Sequence, residues 1–415
     1  MATVNLFAQT NMSSSNIWYG TVYRNTSSEI ILSNGYYGGI YYGSGFRYSG
    51  YSVTGGTLTG YDGAINVNIY SLTYDLAITV RGLNLSARTA YNYIQSGNAL
   101  GLQEWALSGN DVLNGSIYND TLLSYNGNDT LNGGLGNDTM IGGTGNDTYI
   151  VDSISDVVTE SLNQGTDVIQ SSVTYTASAN VENLKLTGSS NIDATGNTLN
   201  NTLTGNSGNN TLNGGSGNDT MVGGNGNDTY VVDSTSDKVT EASNAGTDTI
   251  QTTLATYSIA SLTNIENLSF VGIGNATLTG NALNNTLTGN SGNNTLNGGS
   301  GNDTLTGGSG ADTFVFNTAL NPTTNRDTIT DFSHNDDTIQ LSKSVMSALG
   351  NLGTLSAADF KLSTQTLDIS DRIIYNQTSG ALFYDADGSG RSAAVQIALL
   401  NSLPTGIDHT DFVII

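Results

Sequence analysis

Residues 127–151 read GNDTLNGGLGNDTMIGGTGNDTYIV, three copies of one nine-residue phrase in which Asp129, Asp138 and Asp147 hold the same place. Outward from there, the phase runs back to Asp120 in a degraded copy, YNDTLLSY, and to Asp111 in GNDVLNGS. It returns at Asn201, Asn210, Asp219 and Asp228, and again at Asn285, Asn294, Asp303 and Asp312. A larger repeat lies over this one: SGNNTLNGGSGNDT occupies 207–220 and recurs unchanged at 291–304. Each of the first two blocks is followed by a longer interlude, YIVDSISDVVTESLNQGTDVIQSSV from Tyr149 and YVVDSTSDKVTEASNAGTDTIQTTL from Tyr230. A flexible Gly/Asn linker has no reason to keep such register, so the stretch is structured.

The phrase can be read physically. Gly-Gly-x-Gly supplies residues that adopt positive φ, so the chain reverses tightly there. The three residues after each Asp make a strand of a single rung, its middle residue (Leu131, Met140, Tyr149) pointing inward. Two phrases with two reversals bring the chain back to its starting side, and successive coils stack at the parallel-strand spacing of about 4.8 Å. Asp111 then lies over Asp129, Asp120 over Asp138, and Asp129 over Asp147. Carboxylates stacked this closely repel unless cations lie between them. An all-oxygen set of carboxylates and carbonyls suits Ca²⁺ over a transition metal.

These phrases resemble the GGxGxDxUx repeats of the RTX (repeats-in-toxin) family, over roughly 108–341. The resemblance implies an all-β fold: a parallel β-roll or β-solenoid with several Ca²⁺ ions between stacked turns. It also implies the ligands, namely Asp111, Asp120, Asp129, Asp138, Asp147, Asp219, Asp228, Asp303 and Asp312 with the glycine carbonyls before them. Asp156 and Asp237 stand one full coil after Asp138 and Asp219 and join the candidate ligands, as does Asp327 beside a short apolar rung. The asparagines at 201, 210, 285 and 294 offer an oxygen without charge. Those positions are expected to be weaker sites, or asparagine ladders without metal. Glu160, Glu182, Glu241 and Glu266 read as solvated or turn-capping residues rather than ligands.

After Asp312 come GADTFVFN, RDTITDF and DDTIQL, then SKSVMSALG, which predicts a brief helix with Ser342 as N-cap. Three strands follow, RIIYN, ALFYD and AAVQIAL, giving a small α+β cap. In YDADGSGR, Asp385, Asp387 and Ser389 have the alternate spacing of a calcium loop, but a plain hairpin turn reads equally well. The cap resembles that of type I-secreted RTX proteins, and the final DHTDFVII resembles their uncleaved C-terminal secretion signal. The opening MATVNLFAQTNMSSSN lacks the basic and apolar regions of a cleaved leader, so any export address is expected at the other end.

Charge divides the chain. The segment 1–107 holds four acids and four arginines, so the net charge of −24 falls wholly on the remainder; the same segment carries 13 of the 21 tyrosines, many in NGYYGGIYYGSGFRYSGY. We therefore expect a Tyr/Gly-rich β module over 1–107 and the roll over 108–316. The roll holds blocks at 108–150, 196–231 and 280–316, with β interludes between them. The cap takes 317–415. INVNIY and LAITVRGL in the first segment alternate as strands, suggesting a second β-solenoid or a small sandwich stacked on the roll.

So acidic a chain does not present a nucleic-acid groove, and no apolar run reaches the roughly 20 residues of a transmembrane segment. Neither His-Glu-x-x-His nor Gly-x-Ser-x-Gly occurs, and the two histidines, His334 and His409, both lie in the cap. No enzyme is expected. The reading that remains is a secreted Ca²⁺-binding structural protein, extracellular or surface-associated. It would leave by the type I secretion machinery, fold outside the cell, and assemble with itself through uncapped end rungs into a matrix, surface layer or filament. Alternatives are an adhesin or carbohydrate-binding module directed at polysaccharide or a cell surface, and a non-catalytic remnant of an RTX enzyme.

Overall fold

The computed structural model describes residues 107–415 except 389–391, together with the backbone of eight earlier strands lying between Ala2 and Ser86. The side chains of the tyrosine-rich stretch at 34–51, the INVNIY segment and Ser389 lie outside the described residues. The chain forms two compact units, Met1–Gly205 with Gly215–Gly217, and Asn206–Gly214 with Asn218–Ile415.

In the first unit each phrase yields one rung. Strands Asp111–Asn114, Thr130–Asn132, Thr148–Val151, Val168–Ser171, Asn183–Leu186 and Thr202–Thr204 form one parallel ladder, and Thr121–Leu123, Thr139–Ile141 and Val157–Thr159 form another. Thr130 lies opposite Thr148 and Leu131 opposite Tyr149, the two-phrase register expected of the repeat. Threonine at the flanks suits a pleated, half-buried surface, and the middle residue turns inward. Leu113, Leu122, Leu131, Met140, Tyr149, Ile169, Leu184 and Leu203 are all buried, and each full burial contributes about 1.5–3 kcal/mol. The interlude continues the stack as coils of altered length, one longer and the next shorter than those of the repeats, with Tyr149 opposite Ile169 and Ile169 opposite Leu184.

The N-terminal strands belong to this unit. Ala2–Leu6 pairs parallel with Asp111–Asn114 and antiparallel with Ile78–Arg81, the latter within the predicted LAITVRGL strand. The other six described strands make two antiparallel three-stranded sheets, a pairing unlike the parallel ladders of the roll.

The second unit repeats the plan. Thr211–Asn213, Thr229–Val232, Thr249–Thr252, Asn267–Phe270, Thr286–Thr288, Thr304–Thr306 and Asp327–Ile329 stack in parallel, and Thr256–Ser258, Thr277–Thr279, Thr295–Asn297, Thr313–Phe316 and Thr338–Leu341 form a second ladder. Its final rungs are not open, contrary to the expected uncapped end. Val395–Leu400 adds to Asp327–Ile329, and Phe412–Ile414 adds to Thr338–Leu341 with Phe412 buried opposite Ile339. His334 Nδ1 holds the Asp411 carboxylate at 2.9 and 3.0 Å and anchors that last strand.

The expected helix over 342–350 is absent. Val345 and Met346 donate to the Ser342 carbonyl and Leu349 to that of Met346, but Lys343 N–H goes to Ile415 and Ala348 N–H to the Tyr384 hydroxyl. A helix this short has too few internal hydrogen bonds to offset its nucleation, and tertiary partners take its donors, leaving successive turns. The cap is therefore β with turns. Its one helical element among the described residues is the 3₁₀ turn His409–Asp411, capped by Asp408. No helix among the described residues is long and apolar enough to cross a membrane.

Candidate metal centre

Six of the repeat aspartates are gripped by the coil before them. The N–H of Asp111 donates to Asp129 Oδ1 at 2.7 Å, that of Asp120 to Asp138 Oδ1 at 2.7 Å, and that of Asp129 to Asp147 Oδ1 at 2.7 Å. In the second unit Asn210 reaches Asp228, Asn285 reaches Asp303 and Asn294 reaches Asp312, each at 2.7 Å. One carboxylate oxygen thus completes the backbone ladder.

The other oxygen is what points to a metal. Oδ2 of Asp129, Asp138, Asp147, Asp228 and Asp303 is buried without a hydrogen-bond partner. Leaving a buried acceptor unsatisfied costs about 1–3 kcal/mol, more when it is charged. The described ion pairs all lie in the cap, so none of these five carboxylates has a lysine, arginine or histidine partner there. Burial pushes Asp129, Asp138 and Asp303 up to about 7, against the hydrogen bonds from the preceding coil, which hold them down. Asp147 and Asp312 are raised for the same reason.

The glycines make room for these oxygens. A methyl group on Gly142 would collide with Asp147 Oδ2, and one on Gly223, Gly298 or Gly307 would collide with the Oδ2 of Asp228, Asp303 or Asp312. The following glycine, such as Gly143 with φ 97°, takes a left-handed conformation directly over the carbonyl of Tyr125 in the coil before. Orphan carboxylate oxygens among main-chain carbonyls, with no nitrogen or sulfur donor, fit Ca²⁺.

Other predicted ligands are engaged differently. Asp156 gives Oδ1 to Asp138 N–H and Oδ2 to the N–H groups of Asp152 and Ser153, so backbone donors use both oxygens; Asp237 does the same with Asp219, Asp233 and Ser234. Asp120 accepts from Ser116 N–H and Oγ through Oδ2, while its Oδ1 is buried and unpartnered. Asp327 accepts from Asp303 N–H at 3.1 Å, and burial raises it to about 8. Asp385 Oδ1 accepts from Asp387 N–H and Asp387 Oδ2 from Ser392 N–H.

At Asn201 and Asn285 the side-chain amide donates to main-chain carbonyls. Asn285 Nδ2 donates to the carbonyls of Ile265 and Glu266 at 3.1 Å each, and Asn201 Nδ2 to those of Val181 and Glu182 at 3.0 and 3.2 Å. Of the two expectations for these positions, this geometry favours the metal-free asparagine ladder.

Glu160 departs most from the expectation of solvated or turn-capping glutamates. Glu160 is 7% exposed and accepts the Tyr149 hydroxyl on Oε1, while Oε2 has no hydrogen-bond partner. Asp147, Glu160 and Asp167 each offer one oxygen within 4.8 Å of the others, and so do Asp228, Glu241 and Asp248. Glu182 and Glu266 extend the backbone ladder by accepting from Asp167 and Asp248 N–H at 2.8 Å. Asp167 and Asp248 escape the nine-residue phase because the coil before them has 20 residues, with Asn163 and Asn244 at φ 60° and 59° in its reversal. The retained Gly-x-Asp of GTD in both interludes is the signal that marks them.

No curated protein matches the chain. The RTX calcium-binding nonapeptide repeat matches residues 105–140, 114–149, 195–230 and 279–314. Those spans take in Asp129, Asp138, Asp147, Asp228 and Asp303, each with one buried oxygen that has no hydrogen-bond partner, and RTX repeats bind Ca²⁺. Residues 105–314 of this chain therefore carry four copies of the RTX calcium-binding nonapeptide repeat.

Proposed function

We propose that this is a secreted, non-enzymatic structural protein that leaves the cell unfolded, folds on extracellular Ca²⁺ and then associates with copies of itself into a matrix, surface layer or filament. The observation that carries the reading is the row of buried carboxylate oxygens with neither a hydrogen bond nor a basic partner among the described residues. Burying such charge without a counter-ion opposes folding, so cytoplasmic calcium scarcity keeps the chain open and millimolar calcium closes it. A final strand resembling a type I secretion signal supports export.

Self-association is supported by the contrast between a neutral, tyrosine-rich first segment and a remainder that holds the net charge of −24. Calcium neutralises the repulsion that keeps acidic bodies apart, and tyrosine offers apolar area with a polar tip. The capped final rungs of the second unit support the N-terminal segment as the contact surface. The test is circular dichroism followed by electron microscopy of the full chain, in chelator and in millimolar calcium. Calcium-induced β-structure followed by ordered filaments or sheets is the expected result. Single particles that are retained on a polysaccharide column would favour a binding module instead.

A further inference from the structure

The two carboxylate clusters are not further copies of the nonapeptide turn. A turn presents one orphan oxygen per aspartate beside main-chain carbonyls, whereas Asp147, Glu160 and Asp167 gather three carboxylates within 4.8 Å. Two of them, Asp147 at 1% and Glu160 at 7% exposure, each aim a partnerless oxygen into the cluster. The remaining contacts are positional. Asp147 Oδ1 is held by Asp129 N–H, Asp167 Oδ1 by Asp147 N–H at 2.8 Å, and the Glu160 carbonyl by Asn180 Nδ2 at 3.0 Å. Tyr149, fully buried, donates its hydroxyl to Glu160 and fixes that carboxylate's rotamer.

The arrangement is rebuilt after the second repeat block with Asp228, Glu241 and Asp248, where Tyr230 donates to Glu241, Asn264 holds the Glu241 carbonyl at 2.9 Å, and Asp228 Oδ2 is partnerless. The third block is an internal control. Phe314 stands where the tyrosine does, the next ladder aspartate is Asp337, and the described residues hold no third cluster. The tyrosine hydroxyl and the glutamate occur together twice and are missing together once.

We propose that Asp147–Glu160–Asp167 and Asp228–Glu241–Asp248 are each a three-carboxylate Ca²⁺ site, with Tyr149 and Tyr230 as positioning residues, and that these two sites fill at lower calcium than the nonapeptide turns. The inference rests on the calcium-binding reading above. Calcium affinity rises with the number of charged ligands and the rigidity of the site, and both are greater here. Glu160 lies on the interlude and Asp147 in the repeat block, so the ion closes the interlude coil onto the last rung of its block.

The test uses the full chain and counts bound calcium by equilibrium dialysis, with folding followed by circular dichroism. Glu160→Gln/Glu241→Gln is expected to bind two fewer ions and to raise the calcium midpoint of folding about tenfold. The same ion count with folding at equal or lower calcium overturns the proposal, because glutamine then merely relieves a buried charge. Should the variant not fold at any calcium concentration, Tb³⁺ replaces calcium in the unmutated protein and in Tyr149→Phe/Tyr230→Phe. Tb³⁺ takes the same oxygen ligands and emits when an adjacent tyrosine absorbs. Loss of tyrosine-excited emission from the first two equivalents supports the sites, and unchanged emission overturns them. If the unmutated chain binds no calcium, the wider reading fails; if it binds calcium and the variant matches it, only this inference fails.

Discussion

Asp147 accepts the main-chain N–H of Asp129 on one carboxylate oxygen at 2.7 Å and keeps the other buried without a hydrogen-bond partner. One side chain thus has two jobs, backbone ladder and cation ligand, and substitution can separate them. Asp129 stands in the same relation to Asp111. Asp129→Asn keeps the acceptor and removes the charge, so in calcium it should lose bound metal and only the stability which that metal contributes. Asp129→Ala also strands the Asp111 N–H and should cost a further ~1–3 kcal/mol. Equilibrium dialysis with urea denaturation in calcium distinguishes the two; equal urea midpoints would contradict the ladder role.

The asparagine positions allow the opposite experiment. Asn285→Asp replaces an amide that donates to the Ile265 and Glu266 carbonyls with a second oxygen. The full chain should then bind an additional calcium ion, and without calcium it should be destabilised by ~1–3 kcal/mol through two stranded carbonyls and a new charge. An unchanged calcium count would show that the asparagine amide is not standing in for an ion.

Acidity should act in opposite directions on the two states. The carboxyls of Asp129, Asp138 and Asp303 rise from 3.8 to about 7 on folding without metal, chiefly by burial. The folded chain therefore holds protons that the unfolded chain has released, and calcium-free stability is greatest below about pH 4 and falls as pH rises to about 7. Calcium displaces those protons, so its affinity climbs across the same window. Circular dichroism in chelator should show more β-structure at pH 5 than at pH 8, and the reverse order would exclude these carboxyls as the controlling groups.

Tyr125 occupies a glycine position of the degraded second repeat and is held at φ 71°, a conformation that costs a side-chain-bearing residue about 1–2 kcal/mol. Tyr125→Gly should therefore raise the thermal midpoint in calcium, with a gain of up to ~1 kcal/mol after the greater freedom of glycine in the unfolded chain is counted. A lower midpoint would mean that the tyrosine ring contributes more than its backbone strain costs.

What the sequence discloses and what it hides follow from one distinction. Leu131, Tyr149 and Asp147 were legible because they recur at a fixed interval, and an interval converts directly into a stack. Glu160 was not, because its burial arises only when the interlude folds back and Tyr149 reaches it, a contact between residues in different kinds of coil. Asp167 and Asp337 were hidden by coils of altered length, which shift the count without disturbing the ladder. The helix expected at Ser342 failed for a related reason: its donors are claimed by Ile415 and Tyr384, one distant in sequence and the other from a separate strand.

The buried aspartate ladder also has a direction. Its donor amide belongs to an earlier coil and its accepting carboxylate to a later one, as from Asp111 to Asp129 and from Asp303 to Asp327. An outer asparagine row runs the other way, from Asn128 N–H to Asn110, but it is exposed and its acceptors are neutral, so the buried charged row is the stronger. A growing stack is therefore asymmetric at its two faces. Growth toward the N-terminus lays a fresh row of donors onto carboxylates already fixed in place, while growth toward the C-terminus must wait for acceptors still on mobile chain. The anchored strand Phe412–Ile414 provides such a fixed floor in the second unit. Ordering there can spread coil by coil against the direction of the sequence, each completed layer serving as the template for the one before it.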